Sequence, residues 1–371
     1  MTVFPSLQIG SYIARYPIIQ GGMGVRISCA SLASAVANAG GIGTISASGL
    51  GINSPYFDAD EPNPKKRHQQ FLTASRLALI DELNTARRLS PTGIIGVNIM
   101  VAAREYQLLV RAAVENGANV IVAGAGLPLQ LPAYTQDHPE VALVPIVSSV
   151  RAAKLICRKW QRQQGRLPDA FIVEDPQVAG GHLGATEDTL NDPEWAATAV
   201  IPALVAYLKD EFETPMPVIA AGGIWDQRDI VRALALGADG VQIGTRFITT
   251  HECDADLRYK EFHLNASPDD VRLVPSPVGL PGRALLNPFA EKIMAGTPNP
   301  RGKCLANCLK SCKFRDKRET YCIIRALDRA SRGDIENGLI FAGTNAGRAT
   351  RMMSVAEIMQ ELMTPAPVQL T

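Results

Sequence analysis

The sequence predicts a TIM (β/α)₈ barrel with inserted loops and a cysteine-containing C-terminal extension. Its length of 371 residues fits one barrel of about 250 residues with insertions and a tail. Short apolar or β-branched runs alternate with Gly-rich turns and longer Ala/Leu-rich stretches, the pattern of βαβ units on a parallel sheet. These runs are nearly continuous in apolar character, as expected for strands that are covered on both faces.

Eight runs are predicted to be the barrel strands: residues 16–20, 41–46, 93–100, 119–123, 141–147, 169–173, 217–220 and 240–243. Helices are predicted at residues 28–38, 64–89, 102–116, 127–136, 150–164, 194–210 and 226–236. Residues 354–363 are predicted to form a closing helix, because Ser354 is a suitable N-cap and Glu357 follows three residues later. Residues 49–64 and 268–300 are rich in Gly and Pro and are predicted to be long loops.

The composition is that of an ordinary globular chain, with 46% hydrophobic and 20% charged residues. A net charge of +1 gives no overall attraction to nucleic acid or to an anionic membrane. No run of about 18 apolar residues is present and the first ten residues lack a signal-like pattern, so we expect a cytoplasmic protein. Residues 301–332 hold ten Lys/Arg and three Asp/Glu. This basic segment is either a solvated surface or a site for nucleotide phosphates or an acidic carrier protein.

Glycines follow the last two predicted strands. The seventh ends in Gly222-Gly223 and the eighth in Gly244-Thr245. In barrels, the loops at these two positions commonly bind phosphate through backbone amides, and glycine lets the anion approach the backbone. The alternative is that these residues form tight turns only. The pattern favours a phosphate site.

A second glycine-rich turn, Gly22-Met23-Gly24, follows the first predicted strand. Backbone and thioether at the catalytic face suit a flat aromatic ligand, although an ordinary turn is the alternative. Asn98 is a polar side chain in the apolar third strand. It could hydrogen-bond the ring of a ligand or satisfy nearby backbone groups.

His182 is the candidate catalytic residue. It follows Gly180-Gly181 after the sixth predicted strand, where Glu174 and Asp175 leave the sheet. With an ordinary pKa near 6.5, a histidine at this face can serve as acid or base at neutral pH, whereas a structural or merely exposed histidine is the alternative.

Four of the seven cysteines, Cys304, Cys308, Cys312 and Cys322, have the spacing C-x₃-C-x₃-C-x₉-C. The first three would share one face if the segment were helical. Four thiolates can hold a 4Fe–4S cluster or a zinc ion. Free or redox-sensing thiols are the remaining interpretation, because neither ligand spacing matches strictly.

Together, IIQGGMG, GVNIM, AGAG, AGGHLG and AAGGI…LGADGVQIGTRF resemble the nitronate monooxygenase (2-nitropropane dioxygenase) family, which includes FMN-dependent enoyl-acyl-carrier-protein reductases. The resemblance covers residues 17–254. Beyond them, PGRALLNPF and GLIFAGTNAGR are similar to C-terminal segments of the reductase-like branch. The resemblance to this family implies an FMN-binding barrel over residues 1–265. It also implies a loop-rich extension over residues 266–371 that packs on the barrel and carries the four cysteines.

The resemblance also implies residue roles. Gly22, Met23, Gly24 and Asn98 would contact the isoalloxazine, and Gly222, Gly223, Gly244 and Thr245 would hold the phosphate, with Gly181 and Gln242 as neighbours. His182 matches the histidine that acts as base or polarising group beside the flavin. The cysteine insertion departs from simple nitronate monooxygenases, which leaves the exact reaction open.

Four functions are compatible with these features. The first is oxidation of alkyl nitronates with O₂ to carbonyl compounds and nitrite. The second is NAD(P)H-dependent reduction of an enoyl thioester or a quinone by the same FMN. Chemistry like that of IMP dehydrogenase is less favoured, because Cys29 and Cys253 are poorly placed as nucleophiles. A non-enzymatic redox sensor is the fourth. The expected partners are a small-molecule substrate and, for the reductase, NAD(P)H; a homodimer is left open.

Overall fold

The computed structural model describes residues 4–296 and 303–364, and in them eight parallel strands close into a barrel. The strands pair in chain order and the eighth pairs with the first. They are Ile18–Gln20, Ile42–Ser46, Ile94–Met100, Val120–Gly124, Ala142–Val147, Phe171–Glu174, Val218–Ala221 and Gly240–Ile243. The predicted fold class and all eight predicted strands are confirmed, with ends that differ by one to two residues.

The barrel interior is filled by apolar side chains such as Ile19, Ile42, Val120 and Ile172, all buried. A hairpin of strands Leu7–Ile9 and Tyr12–Ala14 closes the amino-terminal end of the barrel. Its side chains, among them Leu7 and Ile9, join the same buried cluster. The sequence analysis did not predict this hairpin. Because the interior is packed and one end is plugged, the other end is the place for a cavity.

Seven helices lie outside the strands: Ala30–Asn38, Pro64–Leu89, Tyr106–Glu115, Leu131–Tyr134, Val150–Gln164, Ala197–Glu211 and Gln227–Ala235. Local chemistry sets several ends. Asn63 caps the second helix by accepting from the amides of Lys65 and Lys66, and Pro64 occupies its first turn. The helix predicted over residues 127–136 is a single turn, and the one predicted from residue 102 begins only at Tyr106.

The extension holds more regular structure than the predicted loop over residues 268–300. Strands Val271–Val274 and Gly282–Leu285 form an antiparallel sheet with the two-residue strand Gly181–His182 from the barrel. Further helices are Leu257–Leu264, Pro288–Met294, Lys313–Lys317, Ile323–Ser331 and Val355–Met363. Short 3₁₀ turns lie at Leu50–Asn53, Pro193–Trp195, Thr245–Phe247, Pro268–Asp270 and Ala346–Arg348. Residues 297–302, in the predicted loop and at the start of the basic segment, lie outside the described residues.

The extension contacts the barrel at several places. Ala103 bridges Leu309, and Thr250 bridges Met353. The closing helix is confirmed: Ser354 accepts from the amide of Glu357, and the Glu357 carboxylate accepts from the amide of Ser354. Within the described part of the chain, no helix is both long and apolar enough to cross a membrane.

Candidate active site

A cavity of about 730 Å³ lies at the carboxyl ends of the barrel strands. Every one of the eight strand ends contributes to its wall, and the extension covers part of it with residues such as Leu309, Ile323 and Phe341. The structure brings together in this wall all the residues predicted to bind cofactor or to catalyse: Gly22, Met23, Gly24, Asn98, Gly181, His182, Gly222, Gly223, Gln242, Gly244 and Thr245.

The paired glycines after the seventh strand adopt a conformation that favours glycine. Gly222 and Gly223 have φ angles of +94° and +72°. A Cβ on Gly222 would lie 3.0 Å from the carbonyl oxygen of Asp175, so a side chain has no room there. A turn of this kind next to Gly244-Thr245 suits the phosphate of a nucleotide, because glycine lets an anion approach the backbone amides.

Residues of the extension complete this loop cluster. The hydroxyl of Thr245 accepts a hydrogen bond of 3.0 Å from the amide of Gly343. The side-chain amide of Asn345 donates to the carbonyl of Gly223 at 2.8 Å. The sequence analysis did not assign Gly343 or Asn345 a role, although both belong to the GLIFAGTNAGR segment that signalled the resemblance.

The loop after the first strand lies beside the Gly244-Thr245 turn, because the first and eighth strands are neighbours. Gly22 packs against Asn98 so closely that a Cβ would overlap its side chain, and the Met23 sulfur lies beside Gly244. The side chain of Gln242 packs on Gly21, and its carbonyl oxygen Oε1 is buried with no hydrogen-bond partner among the described residues. A buried unpaired polar atom in a cavity wall is a group that a bound ligand could satisfy. The donors and close-approach glycines therefore fit FMN.

His182 lies on the short strand Gly181–His182, opposite Gly282 in the extension. Its Nε2 atom is 2.8 Å from the hydroxyl of Ser276, and its ring meets Phe341 edge-to-face at 5.1 Å. Burial lowers the pKa of His182 to about 4, since the charged ring would lose its water. The imidazole is therefore neutral at pH 7. A neutral ring of this kind can accept a hydrogen bond or a proton.

The acidic side chain of Glu174 also lines the cavity. Burial, aided by nearby Asp175, raises the pKa of Glu174 to about 7, against the opposing effect of Arg283. Arg283 is itself buried and donates to the carbonyl of Pro176 at 3.2 Å and to that of Ala179. Arg283 belongs to the PGRALLNPF segment. The sequence did not predict that its guanidinium holds the loop 176–179 by these hydrogen bonds. None of the described residues that line the cavity is a lysine or arginine.

The cysteine segment differs from both parts of its prediction. Residues 303–312 form no helix, so Cys304, Cys308 and Cys312 do not share a helical face. Across residues 4–296 and 303–364, no three histidine, cysteine or acidic side chains are grouped so as to hold a metal ion. Within these residues the four cysteines, including Cys322, thus do not fit the predicted iron–sulfur or zinc site. They are free thiols, and Cys308 lines the cavity.

A closed parallel barrel with a glycine-lined cavity at its carboxyl end defines an α/β-barrel enzyme with a site for a phosphate-bearing flat cofactor. The family model described as nitronate monooxygenase matches residues 6–365. The chain belongs to the nitronate monooxygenase family, and it is an FMN-dependent oxidoreductase.

Similar proteins carry several names. A probable nitronate monooxygenase of Staphylococcus saprophyticus is 26% identical over 75% of this chain and 78% of its own length. A Mycobacterium tuberculosis protein named (3aS,4S,5R,7aS)-5-hydroxy-7a-methyl-1-oxo-octahydro-1H-indene-4-carboxyl-CoA dehydrogenase is 29% identical over 81% and 71%. The structure of FabK from Thermotoga maritima superposes with a TM-score of 0.69 at 26% identity, covering 94% of this chain and 92% of FabK.

Proposed function

We propose that this protein oxidises alkyl nitronates with O₂ to carbonyl compounds and nitrite. The observation that carries the proposal is the location of His182 in the same cavity wall as the two glycine turns, in a chain of the nitronate monooxygenase family. FMN, when bound, supplies the electron acceptance and the reaction with O₂ that no side chain provides.

Different residues of the chain would bind the cofactor, contact the substrate and position the histidine. The amides of Gly222, Gly223, Gly244 and Thr245 would hold the phosphate, and Gly22, Met23, Gly24 and Asn98, with Gly181 and Gln242 beside them, would hold the ring. The neutral imidazole of His182 would accept a hydrogen bond or a proton from the substrate. Ser276 is a positioning residue, because its hydroxyl holds Nε2 in one orientation.

A second candidate is NAD(P)H-dependent reduction of an enoyl thioester or a quinone. It is favoured by the charge of the cavity wall, which has Glu174 and a neutral His182 but no lysine or arginine among the described residues. An uncharged substrate suits such a wall better than an anion. The relative named as an acyl-CoA dehydrogenase adds support, since its name describes a thioester.

Anaerobic absorbance titration of the FMN-loaded protein separates the two. We expect an alkyl nitronate to bleach the flavin bands and NADH or NADPH to leave them unchanged. Rapid bleaching by a nicotinamide and none by nitronate would overturn the first proposal in favour of the second.

The role of His182 needs its own comparison. We expect His182→Ala to lower kcat/KM for nitronate by about 10² or more at unchanged flavin content, as is usual for a positioned acid or base. His138→Ala is the matched control, because His138 pairs only with Glu140 on another part of the surface. A loss below about tenfold would remove His182 from the catalytic step.

A further inference from the structure

Glu105 is a buried acid in the wall of the cavity. It directly precedes the helix Tyr106–Glu115, and its side chain is 4% exposed. Its carboxyl oxygen Oε2 is buried and makes no hydrogen bond among the described residues. An unpaired buried carboxyl costs free energy unless a ligand or a proton satisfies it. The carboxyl accepts a hydrogen bond from its own backbone amide, which leaves Oε2 available to a ligand.

The surroundings of Glu105 come from two parts of the chain. The amide of Arg104 donates to the carbonyl of Cys308 at 2.9 Å, and the amide of Lys310 donates to that of Ala102 at 2.9 Å. Two backbone hydrogen bonds thus hold residues 308–310 of the cysteine segment against residues 102–104, the loop after the third strand. At this end of the cavity the apolar wall residues Val278, Leu309, Ile323 and Leu327 pack in one cluster with Met100, Ala102 and Cys308. We call this end the apolar compartment.

The two cationic side chains near the compartment donate hydrogen bonds to backbone carbonyls. The Lys310 ammonium donates to the carbonyl of Val101 at 2.7 Å, and the Arg104 guanidinium donates to that of Leu309 at 3.1 Å. Burial raises the pKa values of the Cys308 thiol and of the Tyr106 phenol, so both stay neutral. Burial likewise raises the pKa of Glu105 to about 7. A large share of the molecules therefore carries a protonated Glu105 at neutral pH.

We propose that Glu105 determines substrate choice by donating a hydrogen bond from its protonated carboxyl to an uncharged oxygen on an apolar substrate chain. The substrates are organic molecules whose apolar part fills the compartment and carries a carbonyl or hydroxyl group away from the reacting carbon. The inference rests on the proposed function only in that the same cavity receives the substrate.

Calorimetric binding to the FMN-loaded protein tests this without turnover. The probes are hexan-2-one and 2-methyl-1-hexene, which have the same shape and differ by a methylene group in place of the carbonyl oxygen. At pH 6 we expect the wild type to bind the ketone about fivefold or more tightly than the alkene, as one added hydrogen bond provides. At pH 8.5 this affinity ratio should be smaller, because the ionised carboxylate has no proton to donate. Glu105→Gln keeps a donor, so its ketone preference should persist and become independent of pH.

Glu105→Leu should abolish the ketone preference at both pH values, and Glu115→Gln, an exposed change on the same helix, should leave the wild-type behaviour intact. An unchanged preference in Glu105→Leu, a wild-type preference independent of pH, or no measurable ketone binding would each overturn the inference. Glu105→Gln covers the case in which the leucine variant does not fold. The inference and the proposed reaction can fail separately. If the ketone preference depends on Glu105 but the protein does not oxidise nitronates, the inference holds and only the proposed reaction is refuted.

Discussion

The Nε2 atom of His182 lies 2.8 Å from the hydroxyl oxygen of Ser276, so a residue of the extension orients a ring carried by a barrel loop. Ser276 is 4% exposed and also accepts from the amide of Val278 at 3.4 Å, which fixes the hydroxyl in turn. The geometry of the candidate site is therefore assembled from two parts of the chain that are 94 residues apart.

The first prediction concerns this pair. Ser276→Ala should lower kcat/KM for the preferred substrate about tenfold without loss of FMN, because the imidazole loses the contact that selects its orientation. Ser276→Thr retains the hydroxyl and should restore most of the rate, whereas Ser311→Ala, at an exposed position, should have no effect. Equal rates in wild type and Ser276→Ala would show that the hydrogen bond has no catalytic role.

The second prediction concerns the phosphate loop. Gly222→Ala should reduce bound FMN, measured as the ratio of flavin to protein absorbance, because the new Cβ would meet the Asp175 carbonyl at 3.0 Å. Gly117→Ala is a matched control with a φ of +84° and no atom within 4 Å of the added Cβ. Both changes cost roughly 1 kcal/mol of backbone strain. If both variants retain the same flavin content, the Gly222 turn does not hold the cofactor.

The third prediction concerns Arg283. Arg283→Met should lower the free energy of unfolding by about 3 kcal/mol, because the carbonyls of Pro176 and Ala179 lose a buried charged donor. It should also raise the pKa of Glu174 further, since Arg283 is the cation that opposes its neutralisation. Denaturant unfolding measures the first effect. Arg272→Met, on the neighbouring strand, is the control and should change the free energy of unfolding by less than about 1 kcal/mol. A similar loss of stability in the two variants would show that the hydrogen bonds of Arg283 do not hold the loop.

The fourth prediction concerns pH. Burial lowers the pKa of His263 to about 4, and the ring is 1% exposed with Nδ1 3.1 Å from the Tyr259 carbonyl. The unfolded chain binds this proton near pH 6.5, so the stability from the neutral ring is present above pH 6.5 and is lost as pH falls towards 4. His263→Phe should remove up to about 3 kcal/mol of that decline between pH 7 and 4. Parallel stability curves for the two proteins would contradict the burial argument.

Local sequence patterns predicted the barrel well but parts of the site poorly. The eight strands could be found because each is a short apolar run between turns, and a parallel barrel requires such runs to be buried on both faces. Gly222-Gly223 and Gly244 at consecutive strand ends predict a phosphate loop for an equally local reason, and the structure places them in one cavity wall. The metal site found no support among the described residues and the cysteine segment is not helical, because spacing along the chain does not say whether a segment is helical or where its thiols lie.

What the sequence determined by itself is therefore the order of strands and helices, and with it the end of the barrel where the cavity forms. Only the tertiary structure decided which side chains act on one another there: Ser276 on His182, Arg283 on the loop around Pro176, and the cysteine segment on the wall that holds Glu105. The physical reason is that hydrophobic periodicity is a property of neighbouring residues. The pKa of a buried group and its hydrogen-bond partners depend on distant segments, which meet only when the extension packs on the barrel.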